Sequence, residues 1–318
     1  MASPTSDPEP YGAVGRSEWL DIDWQQHLHW VQIEGRWLNY VELGDPGDPP
    51  LIFIHGLSGC WQNWLEQLPH FARDHWVIAV DLPGFGQSEM PSETISIKGY
   101  AATIDALMET LGIDAARIVG HSMGGFIGAE LAIAHPARVE RLVLEAAAGL
   151  STELIRTQRQ KGLRHRAENI AFFNLGWLAS RSHIVGARPR LRNALLLLVA
   201  AHPARLPAEF AVEQIKGSGK PGFSDALEAM CRYPLRERLE KIDTPVLIVW
   251  GDKDLLVPVR DASIFESLIA NSRKVIYEDT GHSPMMERPA RFNRDVRAFL
   301  QEQPGERAPA PRSGSVAG

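Results

Sequence analysis

The pentapeptide Gly120-His121-Ser122-Met123-Gly124 constrains this chain more than any other stretch. It follows Arg117-Ile118-Val119, short, apolar and β-branched, which predicts a buried strand. It precedes the apolar, Ala-rich residues 126–134, which predict a helix closed at His135-Pro136. A Gly-x-Ser-x-Gly set at such a junction marks a sharp strand-to-helix turn that lifts the serine hydroxyl clear of the sheet. Glycines two residues to either side let neighbouring backbone pass close to the strained turn. Ser122 is therefore expected to sit on a nucleophile elbow.

The surroundings repeat this strand–helix rhythm. Strand-like stretches fall at residues 24–33, 37–43, 51–55, 76–80, 118–120, 141–145, 246–250 and 274–277, the first two joined by Glu34-Gly35-Arg36 as a hairpin. Helical stretches fall at 61–71, 97–111, 126–134, 260–269 and 290–301. Apolar strands alternating with helices predict a mostly parallel α/β sheet covered on both faces, with the opening hairpin as an antiparallel edge. From 150 to 239 the strand rhythm stops and Arg and Lys recur among helical apolar clusters. A helical insertion there would lie over the C-terminal edge of the sheet, where open α/β folds bind ligands. The expected organisation is a core of 17–149 and 240–302, a cap of 150–239, and disordered tails at 1–16 and 303–318, both rich in Pro and polar or small residues.

Bulk properties narrow the partners. With 318 residues, 44% of them hydrophobic, the chain can bury a large core. Its net charge of −6 carries no basic stripe, which argues against nucleic acid. Two cysteines, Cys60 and Cys231, fit a reducing compartment, and no Cys/His spacing suggests a metal. The first fifteen residues hold no apolar core for a signal segment, and the run of eight apolar residues from Ala194 to Ala201 is too short to span a bilayer. A cytoplasmic protein without a membrane span is expected.

Five segments together resemble the α/β-hydrolase family: His55-Gly56 after an apolar strand, the run from Asp81 to Ser88, the elbow, Trp250-Gly251-Asp252-Lys253-Asp254, and Gly281-His282. The likeness spans roughly residues 30–300. It implies an α/β-hydrolase fold with an eight-stranded sheet and an inserted helical lid, and chemistry that needs no cofactor. A serine nucleophile needs a base within hydrogen-bond reach, and histidine is suited to that role near neutrality. Of eleven histidines, His282 follows the last strand on a loop at the sheet's C-terminal edge. His55 is expected to shape its loop, His135 to cap a helix, and His121 to point away from the hydroxyl. The third member must be a carboxylate that orients the base. Glu145, Asp252 and Asp254 all stand just past strand ends. Asp252 also fits a simple Asx-turn. The family's order of serine, acid, histidine and the reach of its position favour Asp254. Backbone amides of Met123 and, by resemblance, Leu57 would form the oxyanion hole. Asp81 is expected to bond loop backbone. Trp61, Trp64, His121 and Trp177 are candidates for the substrate pocket, and Phe172, Phe173, Leu196 and Leu197 for the wall that the cap presents.

The implied activity is hydrolysis of a carboxylic ester or similar acyl bond on a small apolar acyl substrate, through an acyl-serine. A serine rather than an aspartate at the elbow argues against dehalogenase or epoxide hydrolase chemistry. Two alternatives keep the fold. One is carbon–carbon bond hydrolysis of the meta-cleavage-product type, although the loop Gly56-Leu57-Ser58-Gly59 departs from the pattern usual there. The other is a small-molecule receptor with slow turnover.

Overall fold

A computed structural model describes residues 10–151, 184 and 188–302. Eight strands form one sheet in the order β1-β2-β4-β3-β5-β6-β7-β8. They are β1 (Leu28–Ile33), β2 (Arg36–Leu43), β3 (Pro50–Ile54), β4 (Trp76–Val80), β5 (Ala116–His121), β6 (Val139–Glu145), β7 (Val246–Gly251) and β8 (Ser272–Tyr277). β1 pairs antiparallel with β2, and β2 antiparallel with β4. Every other pairing is parallel. The antiparallel edge is thus the hairpin predicted from Glu34-Gly35, whose residues both take positive φ.

The described helices are α1 (Leu68–Phe71), α2 (Ile97–Thr110), α3 (Met123–Ala134), α4 (Pro189–Leu196), α5 (Ala208–Lys216), α6 (Phe223–Arg232), α7 (Arg260–Leu268), α8 (Pro284–Glu287) and α9 (Pro289–Leu300). Ser96 starts α2 by accepting from the Gly99 amide at 3.0 Å. The helix expected at 61–71 is broken in two. Residues Trp61–Trp64 form a 3-10 turn, and Pro69 enters the first turn of α1, where a missing N–H costs nothing. Similarly, Trp24–His27 is a 3-10 turn started by Asp23, so β1 begins only at Leu28.

Successive residues of the central strands feed opposite faces of the sheet. Ile52, Ile54, Ile118 and Leu144 join the side covered by α2, α3 and α7, with Ile104, Phe126 and Phe265. Leu51, Phe53, Val119 and Val143 join the other side, with Trp64, Phe71, Phe292 and Phe299. Burial on both faces explains why these strands read as unbroken apolar runs. Between β6 and β7 the described residues hold α4, α5, α6 and short 3-10 turns, and no strand. Among the described residues no helix is long and apolar enough to cross a membrane.

The N-terminal end departs from expectation. Residues 1–9 and 303–318 lie outside the described residues, but within Pro10–Arg16, assigned to the tail, Tyr11 and Gly12 pack on the body. The Gly12 amide donates to the Glu287 carbonyl at 2.7 Å, and Tyr11 bonds the Glu287 side chain. A polar, Pro-containing composition hides a single aromatic anchor whose partner lies far along the chain.

Candidate active site

Ser122 stands between β5 and α3 with φ 52° and ψ −112°, a conformation that L-residues avoid. Its backbone is held on both sides. The Ser122 amide donates to the Glu145 carbonyl at 2.9 Å, and its carbonyl accepts from Phe126 and Ala148 at 3.2 and 3.0 Å. The turn is possible because α3 crosses β3 closely: a Cβ on Gly124 would lie 2.0 Å from the Ile54 carbonyl oxygen. Gly56 packs on the other side of the serine, where an added Cβ would meet Ser122 Cβ at 3.1 Å.

His282 and Asp254 come together from the loops after β8 and β7. His282 Nδ1 lies 2.8 Å from Asp254 Oδ2, and both side chains are buried. Asp254 Oδ1 accepts from the Leu256 and Val257 amides at 2.8 and 2.9 Å. The Asx-turn expected of Asp252 is therefore made by Asp254. Asp252 instead reaches across to the histidine loop, accepting from the Thr280 amide at 3.3 Å. The two loops are further tied by Asp252 N to Tyr277 O and Lys253 N to Thr280 O, at 3.0 and 2.8 Å. With Nδ1 engaged by the carboxylate, Nε2 is the ring nitrogen of His282 left to meet a hydroxyl.

Ser122 and His282 line one cavity of about 580 Å³. Leu57, Ser58 and Gly59 border it on the side of the loop after β3. Met123 opens α3, so its amide has no carbonyl one turn back to receive it. Leu195, Leu196, Leu206, Ile215, Leu227 and Met230, all from the stretch between β6 and β7, supply an apolar wall. Asn63 and Gln214 add a polar edge, joined at 2.7 Å from Asn63 Nδ2 to Gln214 Oε1.

Some expected pocket residues lie elsewhere. Trp61 and Trp64 are buried on the α1–α9 side of the sheet and do not border the cavity; Trp64 packs on Phe53 and Phe292, and Trp61 on Trp24. Leu196 lines the cavity, whereas Leu197 is largely exposed outside it. Trp177, Phe172 and Phe173 lie outside the described residues. His121 does border the cavity, with its ring directed at Glu145, its register partner on β6. Glu145, a rival for the acid, thus faces His121 and accepts from the Met285 amide at 3.2 Å.

Two buried groups shape the loop after β3. His55 Nδ1 donates to the Gly56 carbonyl at 2.7 Å, and Nε2 accepts from the Leu82 amide at 3.0 Å. Burial pulls its pKa down to about 4. Asp81 accepts from the Trp61 and Gln87 amides, both at 2.8 Å, and burial pushes its pKa up to about 6. No local signal marks Glu287, which lies buried beneath the histidine loop and accepts from the amides on both sides of His282.

The family profile described as alpha/beta hydrolase fold matches residues 49–289. The chain belongs to the α/β-hydrolase family. Within it, the chain is 30% identical over 284 residues to a dihydrolipoyllysine-residue acetyltransferase component of an acetoin cleaving system from Pseudomonas putida, covering 86% of this chain and 69% of that one. It is 27% identical to monoacylglycerol lipase ABHD6 of Bos taurus, covering 86% and 82%. Among solved structures, a meta-cleavage product hydrolase superposes with a TM-score of 0.67 at 26% identity, over 86% of this chain and 98% of that one.

Proposed function

We propose that this chain is a serine hydrolase that cleaves carboxylic esters or similar acyl bonds through an acyl-serine intermediate. The observation that carries this reading is the joint placement of a strained Ser122 and a His282 locked to Asp254 at one largely apolar cavity.

In the proposed reaction Ser122 Oγ attacks the substrate carbonyl carbon while His282 Nε2 takes its proton. The amides of Met123 and Leu57 receive the charge that develops on the carbonyl oxygen. His282 then gives the proton to the departing alcohol. A water molecule, deprotonated in turn by His282, releases the acid and restores the serine. Asp254 holds the tautomer with its proton on Nδ1 and stabilises the imidazolium. The acyl chain is assigned to the wall of Leu195, Leu206, Ile215 and Met230, and the polar edge of Asn63 and Gln214 to the alcohol side. Residues 150–239 serve as the cap over a core of 17–149 and 240–302. The name of the lipase relative supports an ester; the name of the solved hydrolase supports carbon–carbon cleavage as the second reading.

The test is turnover of p-nitrophenyl esters of increasing acyl length, with Ser122→Ala alongside. Serine-dependent turnover with a preferred length is expected, and the variant is expected to lose at least about 10⁴-fold in kcat while remaining folded. A folded wild type that leaves every ester intact and cleaves vinylogous diketones would favour the second reading. Normal turnover by Ser122→Ala would overturn both.

A further inference from the structure

Two distant chain segments and the neighbouring histidine loop converge on the Glu287 side chain, which is fully buried. Its carboxylate accepts from the Gly281 amide at 2.9 Å and the Ser283 amide at 3.3 Å, which flank His282. It accepts from the Ala201 amide, in the stretch after α4, at 2.8 Å. It accepts from the Tyr11 hydroxyl, near the N-terminus, at 2.7 Å. Each of these neighbours is a donor, so the site matches an ionised carboxylate, which only accepts. Burial is the larger influence and holds this carboxyl above its ordinary range, while the four donor groups pull it back down.

Tyr11 closes the arrangement. Its oxygen also accepts from the His202 amide at 2.8 Å. Its ring lies against the guanidinium groups of Arg205 and Arg288, 4.8 and 4.9 Å from the ring centre. One hydroxyl thus joins the N-terminal segment to the stretch after α4 and, through Glu287, to both neighbours of His282.

We propose that Tyr11 is a positioning residue for His282, strapping the histidine loop through Glu287. Tyr11 lies outside residues 49–289, the part matched by the family profile. The inference rests on the reading of His282 as the base. Without the hydroxyl, the carboxylate loses one of its four donor groups and is held less firmly, which loosens the anchor of the Gly281 and Ser283 amides. Misplacement of a catalytic group by a fraction of an ångström lowers kcat far more than it changes substrate affinity.

The experiment compares Tyr11→Phe with wild type in the full chain, since phenylalanine keeps the ring between the two arginines. The expected result is a loss of about tenfold in kcat on the preferred p-nitrophenyl ester, the size of a lost hydrogen bond to a charged group, with KM changed less than twofold. Labelling of Ser122 by a p-nitrophenyl phosphonate should slow in parallel. The Nδ1 proton shared by His282 and Asp254, followed by proton NMR, should exchange faster with water. Unchanged kcat, labelling and exchange overturn the proposal, even if the melting temperature falls. A raised KM with unchanged kcat also overturns it, because Tyr11 would then act on the substrate wall alone. Turnover surviving in Ser122→Ala would remove the hydrolase reading, and the proton exchange would still decide for or against the strap.

Discussion

His282–Asp254 and His121–Glu145 sit side by side at the floor of the cavity, each with nitrogen and oxygen 2.8 Å apart, and with the two rings 4.8 Å from centre to centre. Separation alone does not tell them apart. Alignment and support do. The His282–Asp254 contact is a formed hydrogen bond, and the second oxygen of Asp254 is held by two amides of its own loop. In the other pair, His121 Nδ1 and Glu145 Oε2 are close without the alignment of a hydrogen bond. Chain geometry separates them as well. His121 and Glu145 are register partners on adjacent strands, fixed by the sheet itself. His282 and Asp254 come from loops past β8 and β7, which can carry a base over the serine. Orientation and location, rather than closeness, thus separate the pair that the proposed reaction uses from a buried polar brace.

Neutralising the two acids should separate the two pairs most strongly. Asp254→Asn should lower kcat by roughly 10⁴ with the fold intact, because the histidine loses the group that fixes its tautomer. Ester kinetics beside a melting curve would read it. Glu145→Gln should lower kcat by less than tenfold. Its main effect should be on stability, about 1–3 kcal/mol, since a buried polar partner is altered beneath the elbow. Denaturant unfolding gives the second number. Should the large kinetic loss follow Glu145→Gln and not Asp254→Asn, the assignment of the acid is reversed.

The features that were legible in the sequence lean mainly on local context, with the family's order of serine, acid and histidine added to choose among the three carboxylates. The elbow is readable because an apolar strand, a serine between glycines and an apolar helix leave one geometry open. The pairing of His282 with Asp254 is readable because a histidine and a carboxylate each stand just past a strand end. The sheet is readable because burial on both faces gives continuous apolar runs. What was hidden depended on direction or on distant partners. Trp61 and Trp64 stand three apart, which puts them on one side of a turn, but nothing local says whether that side faces the cavity or the sheet; they pack with Phe53 and Phe292. Tyr11 and Glu287 are 276 positions apart, and neither residue's neighbours announce the contact.

A third buried histidine, His55, has no carboxylate partner among the described residues. Both nitrogens of His55 are committed to backbone, one as donor and one as acceptor, so a second proton would set N–H against the Leu82 N–H. Its pKa, pulled down to about 4, means that the unfolded chain binds this proton below 6.5 and the folded chain does not. Stability from His55 is therefore present above pH 6.5 and lost as pH falls towards 4, by about 3 kcal/mol at 1.36 kcal/mol per pKa unit. Asp81 runs the other way. Raised to about 6, it keeps its proton in the folded chain where the unfolded chain has lost it, so its cost to stability shrinks as pH falls through 6. The two nearly cancel in wild type below pH 6. His55→Asn should be less stable than wild type at pH 7, through two lost hydrogen bonds. The gap should narrow by about 3 kcal/mol between pH 7 and pH 4, because only wild type must then hold His55 neutral against the proton. Urea unfolding of both proteins at several pH values measures that gap directly, with other titrating groups cancelling in the difference. A gap that stays constant would mean that His55 binds its proton as freely in the folded protein as in the unfolded chain.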